Sequence, residues 1–389
     1  MKKSFFAVLL VLLAVLCFTA CSNDNVIVLR SSGPLTGDYS VYGIATDKGM
    51  QLAVEEINAK GGVTIDGVQY KLDYKMYDDQ GDGSKSKSSF LQDAKKVDIW
   101  VGSVTSGAAD SVATEAAKVN VPMITPSGTA DNLTVGANNN RADRPNVFRT
   151  CYNDSLQGIV MANFAKELQA TKVAVLVNTT STYSTGLRDS FIGKATELNA
   201  YDFSTEVDYA EDTIDFQPVV SQVMEAEVDC VFIPDYYSKA STIIKQLRNA
   251  GYAGKFMGVD GWDGILDVIG EDLAKLADCY FCNHYSADSE SQKVQDFITA
   301  YKAKWDNEVP NAFATLGYDA IQIAVQAIEQ AGTVDSAKVI EALANGTFDC
   351  VTGNIKFDEN GNPQKEVVIL TFGTEGAGSH KFYATGSTK

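Results

Sequence analysis

The sequence predicts an α/β protein built as two doubly wound, Rossmann-like lobes, and three observations carry that expectation. Short, continuous Val/Ile/Phe runs alternate with stretches of helical period, the pattern of strands covered by helices on both faces. The alternation stops and starts again near residue 172, so there are two series rather than one. The chain has 389 residues, enough for two ordinary lobes, and its 45% hydrophobic content with 8 prolines fits a folded protein rather than extended disorder.

The first series opens with VIVLRSS (26–32) and a helical stretch at 47–62, DKGMQLAVEEINAKGG. There Met50, Ala53, Val54 and Ile57 recur at helical spacing, and Gly61 and Gly62 end the helix. Strands are expected at 70–77, 97–102 and 121–125, with helical stretches around 84–96 and 107–119. The polar segment DDQGDGSKSKSS (78–89) lacks the ordered ligand spacing and closing Glu of a calcium loop, and reads as a solvated loop. The second series has strands at 172–177, 228–234 and 255–260, and helices near 184–199, 216–226 and 238–250. Long helical patterns at 290–305 and 313–331 then precede NIKFDENGN and KEVVILTF, strand-like pieces that need homes in lobes already begun. The chain is therefore expected to cross between lobes more than once. The division is an N-terminal lobe of 26–150 with 284–353 and a C-terminal lobe of 151–283 with 354–389.

The first 21 residues stand apart. MKKSFFAVLLVLLAVLCFTAC has a basic start, an apolar run from Phe5 to Phe18 too short for a stable membrane span, and small residues before a cysteine. This reads as a secretory signal, and FTAC resembles the end of a bacterial lipoprotein signal, with Phe18 where Leu is usual. Cleavage between Ala20 and Cys21 would leave lipid on the Cys21 sulfur and a short polar tether, residues 21–25; ordinary cleavage near Ala20 or an uncleaved anchor are the alternatives. Removal of residues 1–20 takes away Lys2 and Lys3 and no acidic residue, moving the net charge from −18 to −20. A surface that acidic repels nucleic acid and anionic headgroups, so membrane attachment rests on the lipid and not on a basic patch.

Five cysteines remain: Cys151, Cys230, Cys279, Cys282 and Cys350. An odd number cannot all pair within one chain, and CYFC (279–282) has no second pair at zinc-site spacing, so buried thiols are expected. With only His284 and His380 in the chain, a His-based triad or metal centre is not expected.

In open α/β sheets ligands bind beyond the carboxyl ends of the strands. Those positions carry Ser103 to Gly107, Ser127-Gly128-Thr129, Tyr183 in NTTSTYSTG, Asp235-Tyr236-Tyr237 and Val259-Asp260-Gly261-Trp262, while Asp154 and Ser155 stand at a helix start. The first lobe offers hydroxyls and glycines at helix N-termini, where free N–H groups and the dipole favour an anion. The second offers carboxylates and aromatic rings, which suit a cation beside an apolar group. A carboxylate, an ammonium and an apolar side chain together describe an amino acid. Taken singly, Ser106 and Thr129 also read as turn residues or caps, Asp154 as an N-cap, Asp260 as a turn former, and the tyrosines as loop packing.

With those positions in place, the chain resembles the extracytoplasmic solute-binding proteins of ABC transporters, of the leucine/isoleucine/valine-binding, type I periplasmic class. The resemblance runs over nearly all of the mature chain, through GPLTGDYSVYG, AVEEINAKGGV, YDDQGD, VGSVTSGAADSVATEAAKVNVPMITPSGTADNLT, FRTCYNDSLQG, STYSTG, FMGVDG and GNIKFDENGN. It implies two lobes joined by a three-strand hinge that close over ligand. By matching positions, Ser106 and Thr129 would bind the ligand carboxylate through their hydroxyls and Ser127 through its backbone. Asp154 and Asp260 would meet the ammonium, Asp260 standing where Glu is common. Tyr183 and Tyr236 would close from the second lobe, with Tyr42 and Trp262 around the side-chain pocket.

The implied function is a lipid-anchored, monomeric, extracytoplasmic protein that hands an apolar, branched-chain amino acid to ABC permease subunits. It would use no catalytic residue, metal or cofactor. A sensor of the same fold, or a binder of an amide or other small carboxylate, are the alternatives. An amidohydrolase using Thr129 or Ser127 as nucleophile would need an activating base, and the strand-end positions named above supply no His or Lys.

Overall fold

A computed structural model of the chain describes residues 25–373 and 379–389. The leader and Cys21 lie outside the described residues. The first lobe runs β1 (Val26–Gly33), α1 (Ser40–Ala59), β2 (Val63–Ile65), β3 (Val68–Asp78), α2 (Gly83–Asp93), β4 (Ile99–Trp100), α3 (Ser106–Val119), β5 (Met123–Thr125) and β6 (Val147–Arg149). The second runs α4 (Asp154–Glu167), β7 (Lys172–Asn178), α5 (Thr182–Leu198), β8 (Asp202–Tyr209), α6 (Gln217–Glu225), β9 (Cys230–Phe232), α7 (Tyr237–Asn249), β10 (Lys255–Gly258), α8 (Ile265–Ile269) and β11 (Cys279–Asn283). The chain then returns through α9 (Gln292–Lys304), α10 (Ala312–Ala331), α11 (Ser336–Asn345), β12 (Phe348–Cys350) and β13 (Gly353–Ile355). It ends in β14 (Val368–Gly373) and β15 (Ser379–Thr385).

Two large sheets result, ordered β2-β3-β1-β4-β5-β6 and β15-β14-β11-β10-β9-β7-β8, with β12 and β13 forming a separate two-stranded pair. Their centres are parallel, as the continuous apolar runs require: β1 pairs in parallel with β3 and β4, and β10 with β9 and β11. Within these two sheets antiparallel pairs are confined to the edges, β2 on β3 and the β14–β15 hairpin on β11. In the first hairpin Asp66 and Gly67 both take positive φ, 49° and 81°, the two-residue turn that Asp-Gly favours.

The strands absent from the sequence reading are edge strands or very short ones. β8 alternates exposed and half-buried residues at the outer edge of the second sheet, and β15 is half-buried to exposed along its length. β2 and β6 span three residues each. Helix α1 begins at Ser40, seven residues before the expected Asp47, because its N-terminal part buries Tyr42, Gly43, Ala45 and Thr46 against the rest of the molecule. Asn311 caps α10, accepting from Ala314 N at 3.0 Å, and left-handed Gly332 closes it. The five cysteines in the described residues are free and buried, as expected of core thiols, and burial pushes Cys151 up to about 12.

The chain passes between the lobes three times: from β6 to α4, from β11 to α9, and from β13 to β14. These passages touch one another. Lys365 Nζ donates to Thr150 O at 3.0 Å, and the His284 ring lies 3.8 Å from that of Tyr152.

A buried acid near the carboxyl end of β3 sets one stability prediction. Asp79 is fully buried, receives Gly81 N on Oδ1 at 2.8 Å, and has no partner on Oδ2. Burial raises it from 3.8 to about 6. The folded state therefore holds more protons than the unfolded state between these values, and stability contributed through Asp79 is lost as pH rises from 4 to 6. Asp79→Asn removes that loss: its stability advantage over wild type should grow by about 2–3 kcal/mol between pH 4 and 7, measured by denaturant unfolding. An advantage independent of pH would contradict the assignment.

Candidate functional site

The first-lobe half of the site is two loops braced on each other. Ser106 opens α3, and its Oγ accepts from Thr129 N at 3.2 Å and Ala130 N at 3.3 Å. Its own hydroxyl hydrogen remains to be given. Ser127 Oγ donates to Val104 O at 2.8 Å, so that hydroxyl is committed to holding the loops together. Thr125 Oγ1 accepts from Gly128 N at 3.0 Å, tightening the turn. Behind it the fully buried Arg149 donates to Gly128 O at 3.0 Å. The result leaves two buried hydroxyls without partners, Thr105 Oγ1 and Thr129 Oγ1, at the N-terminus of a helix whose cap makes no side-chain hydrogen bond. Such a corner suits an anion.

Asp154 meets this corner from the start of α4, its N–H donating to Thr129 O at 2.9 Å. It is not the helix cap. Asn153 occupies that position and accepts from Leu156 N at 3.2 Å, which leaves Asp154 at the first helical residue. Its side chain is buried with neither carboxylate oxygen hydrogen-bonded. Burial pushes Asp154 well above the usual carboxylate range, and the nearby charge of Asp131 adds to the effect. A carboxylate in this condition costs free energy until a cation meets it.

The second lobe closes the space. Tyr183, in the first turn of α5, stacks on Tyr236 at 4.6 Å and donates through Oη to Asp260 Oδ1, while accepting from Gly261 N at 3.0 Å. Asp260 stands just past β10, its N–H on Gln157 Oε1 at 3.1 Å and its Oδ2 3.0 Å from His284 Nε2. Tyr42, from the first lobe, crosses the gap: Oη donates to Gly261 O and accepts from Tyr237 N at 3.2 Å. Its ring stacks on Phe313 at 4.1 Å. Tyr39 makes a second cross-cleft bond, to Glu211. These contacts leave only a small cavity between the lobes, with an accessible volume of about 10 Å³. A larger recess is lined in part by Lys48 and Glu308, which pair with each other, and by His380, whose Nδ1 lies 3.2 Å from Asp263 Oδ1.

Of the residues singled out in the sequence, Tyr42, Ser106, Ser127, Thr129, Tyr183, Tyr236 and Asp260 line the small cavity. Asp154 lies against it through Thr129. Trp262 does not line it. Its indole is fully buried in the second lobe over Gly258, which has no Cβ to obstruct it, and its N–H donates to Ile233 O at 3.0 Å. The sequence reading also missed contributors. Phe313, far along the chain in the first turn of α10, is not at a strand end; His284 follows the carboxyl end of β11 and reaches Asp260 from there, a position the strand-end rule offers only once CYFCN is read as a strand. Arg149 could have been suspected, a lone cation in an otherwise apolar and hydroxylic FRTC.

Comparison with known proteins follows this geometry. A sequence model for the family described as "Periplasmic binding protein" matches residues 31–377. The chain is 32% identical over 341 residues to Leu/Ile/Val-binding protein homolog 3 of Brucella melitensis, covering 85% of this chain and 86% of that one. Among solved structures it is similar to a leucine binding protein of Thermotoga maritima, with a TM-score of 0.82, 30% identity and coverage of 93% and 99%. It is also similar to a branched-chain amino acid transporter substrate binding protein of Streptococcus pneumoniae in complex with isoleucine, with a TM-score of 0.81, 29% identity and coverage of 92% and 100%.

Proposed function

The chain belongs to the periplasmic binding protein family, the non-enzymatic solute-binding components of ABC transporters, and from that premise we propose that it captures an apolar, branched-chain L-amino acid between its lobes. The observation that carries this reading is the pairing of unsatisfied groups in one closed site. A buried carboxylate, Asp154, lacks a cation, and a buried hydroxyl, Thr129, lacks an acceptor. An α-amino acid supplies both within one small molecule: its ammonium meets Asp154 and Asp260, and its carboxylate takes the Thr129 and Ser106 hydroxyls. The aromatic wall of Tyr42, Tyr236 and Phe313 receives the side chain. The ligands and names of these relatives, leucine, isoleucine and valine, support the same class.

Closure is part of the proposal. Tyr42 and Tyr39 hydrogen-bond across the cleft, and a ligand touching both lobes adds to the closed state what the open state lacks. On this reading the protein is tethered outside the cytoplasm through lipid on Cys21 and presents its closed form to permease subunits. Among the described residues no helix is long and apolar enough to cross a membrane.

A thermal-shift screen over the common L-amino acids and small carboxylates tests the assignment. Leucine, isoleucine or valine at about 100 times Kd should add about 2.7 kcal/mol of stability, a rise of several degrees in Tm. Stabilisation by carboxylates such as benzoate, with none by any α-amino acid, would overturn it. Thr129→Val should weaken the best ligand by about 1.5–3 kcal/mol in calorimetry, the value of a hydrogen bond to a charged group.

A further inference from the structure

His284 has a position that its packing alone does not explain. It follows β11 on the second passage between the lobes and is 5% exposed. Its ring lies against Tyr152 on the first passage, with centroids 3.8 Å apart. Its Nε2 is 3.0 Å from Asp260 Oδ2, while Nδ1 has no partner. One imidazole thus touches two of the three crossing segments and the carboxylate that lines the cavity.

The contacts define its protonation. Asp260 as a carboxylate accepts only, so Nε2 carries the hydrogen and donates it. A second proton on Nδ1 would be buried without an acceptor, and burial accordingly lowers the His284 pKa. Asp260 is then held from two directions, by Tyr183 Oη on Oδ1 and by His284 on Oδ2, which aims its remaining lone pairs.

Resting on the amino-acid reading above, we propose that His284 is a positioning residue for the ligand ammonium. It fixes Asp260 while neutral, and weakens the site when protonated by turning Asp260 into half of a neutral ion pair. The groups facing it are Asp260 and Tyr152 in contact, with Asp263 and Lys365 acting at longer range in opposite senses. Tyr183 and Asp154 act on the same site from beyond Asp260.

The chain contains two histidines, so selective imidazole labelling of the full mature protein gives two signals, with His380 as internal reference. His284, identified by its loss in His284→Gln, should be the Nε2–H tautomer at pH 7 and should shift on addition of L-leucine. In calorimetry with L-leucine, His284→Gln keeps a donor and should bind within about threefold of wild type at pH 7.5. His284→Phe keeps the stacked ring alone and should bind about tenfold more weakly. Between pH 7.5 and 4.5 wild-type affinity should fall several-fold relative to His284→Gln.

An Nδ1–H tautomer, or a constant ratio of wild type to His284→Gln across pH, would overturn the proposal. So would wild-type affinity in His284→Phe. Should His284→Phe fail to fold, the tautomer and the glutamine ratio still decide. Failure of wild type to bind any α-amino acid would instead overturn the underlying reading, and this inference with it.

Discussion

Asp154→Asn is expected to make the ligand-free protein more stable and the ligand site nearly inactive. Ligand-free, the substitution removes a buried carboxylate with two unpartnered oxygens, worth about 1–2 kcal/mol in stability. The helix dipole acts the other way, since a charge at the first turn of α4 gains about 0.3–1 kcal/mol. Full burial and the neighbouring Asp131 decide the sign, because they keep Asp154 well above the carboxylate range. With ligand present, the ammonium loses its charged partner, at about 2–4 kcal/mol, or thirty- to a thousandfold in Kd. Denaturant unfolding without ligand and calorimetry with leucine measure the two effects. A capping aspartate would give the reverse, lower stability with unchanged binding, but Asn153 already fills the capping role.

Gly49→Ala should be among the most damaging small changes in the first lobe. Helices α1 and α10 approach so closely at Gly49 that an added Cβ would sit 1.9 Å from Ala314 O and 2.7 Å from Ala314 C. Both obstacles are backbone, so no side-chain rotation relieves the overlap and the two helices must separate. Met50, Ala53 and Leu52 on α1, and Phe313, Ala314 and Ile321 on α10, lose packing in the process. The cost is about 3 kcal/mol, beyond the roughly 1 kcal/mol gained from better helix propensity. Chemical denaturation should show it as a lower midpoint, and a midpoint at or above wild type would show that the helices yield freely.

Gly49 also marks where the sequence stopped being informative. The 3.6-residue spacing of Met50, Ala53, Val54 and Ile57 reveals a helix and its buried face, because burial selects apolar residues at that period. It does not reveal which distant segment that face meets. Ala314 lies 265 positions further on. The same holds at the site. The hydroxyls and carboxylates at strand ends were legible because a parallel sheet places those ends together, whatever the loops do. Phe313 enters from a returning helix to which that rule does not apply, and His284, at the carboxyl end of β11, escaped because CYFC was read only as buried thiols. Trp262 was legible as a neighbour of Asp260 but not in direction, which Gly258 decides by leaving room for the indole on the core side. The edge strands β8 and β15 escaped for a simpler reason: half-exposed strands need no apolar run.

The account rests on recognition of both ends of an amino acid, and calorimetry with dissected ligands tests that most directly. L-leucine, 4-methylpentanoate without the ammonium and 3-methylbutylamine without the carboxylate would each be titrated into the mature protein. Leucine should bind at least about thirtyfold more tightly than either fragment, since each lacks one set of charge-assisted hydrogen bonds. If 4-methylpentanoate binds as tightly as leucine, Asp154 and Asp260 do not hold an ammonium and the account is wrong.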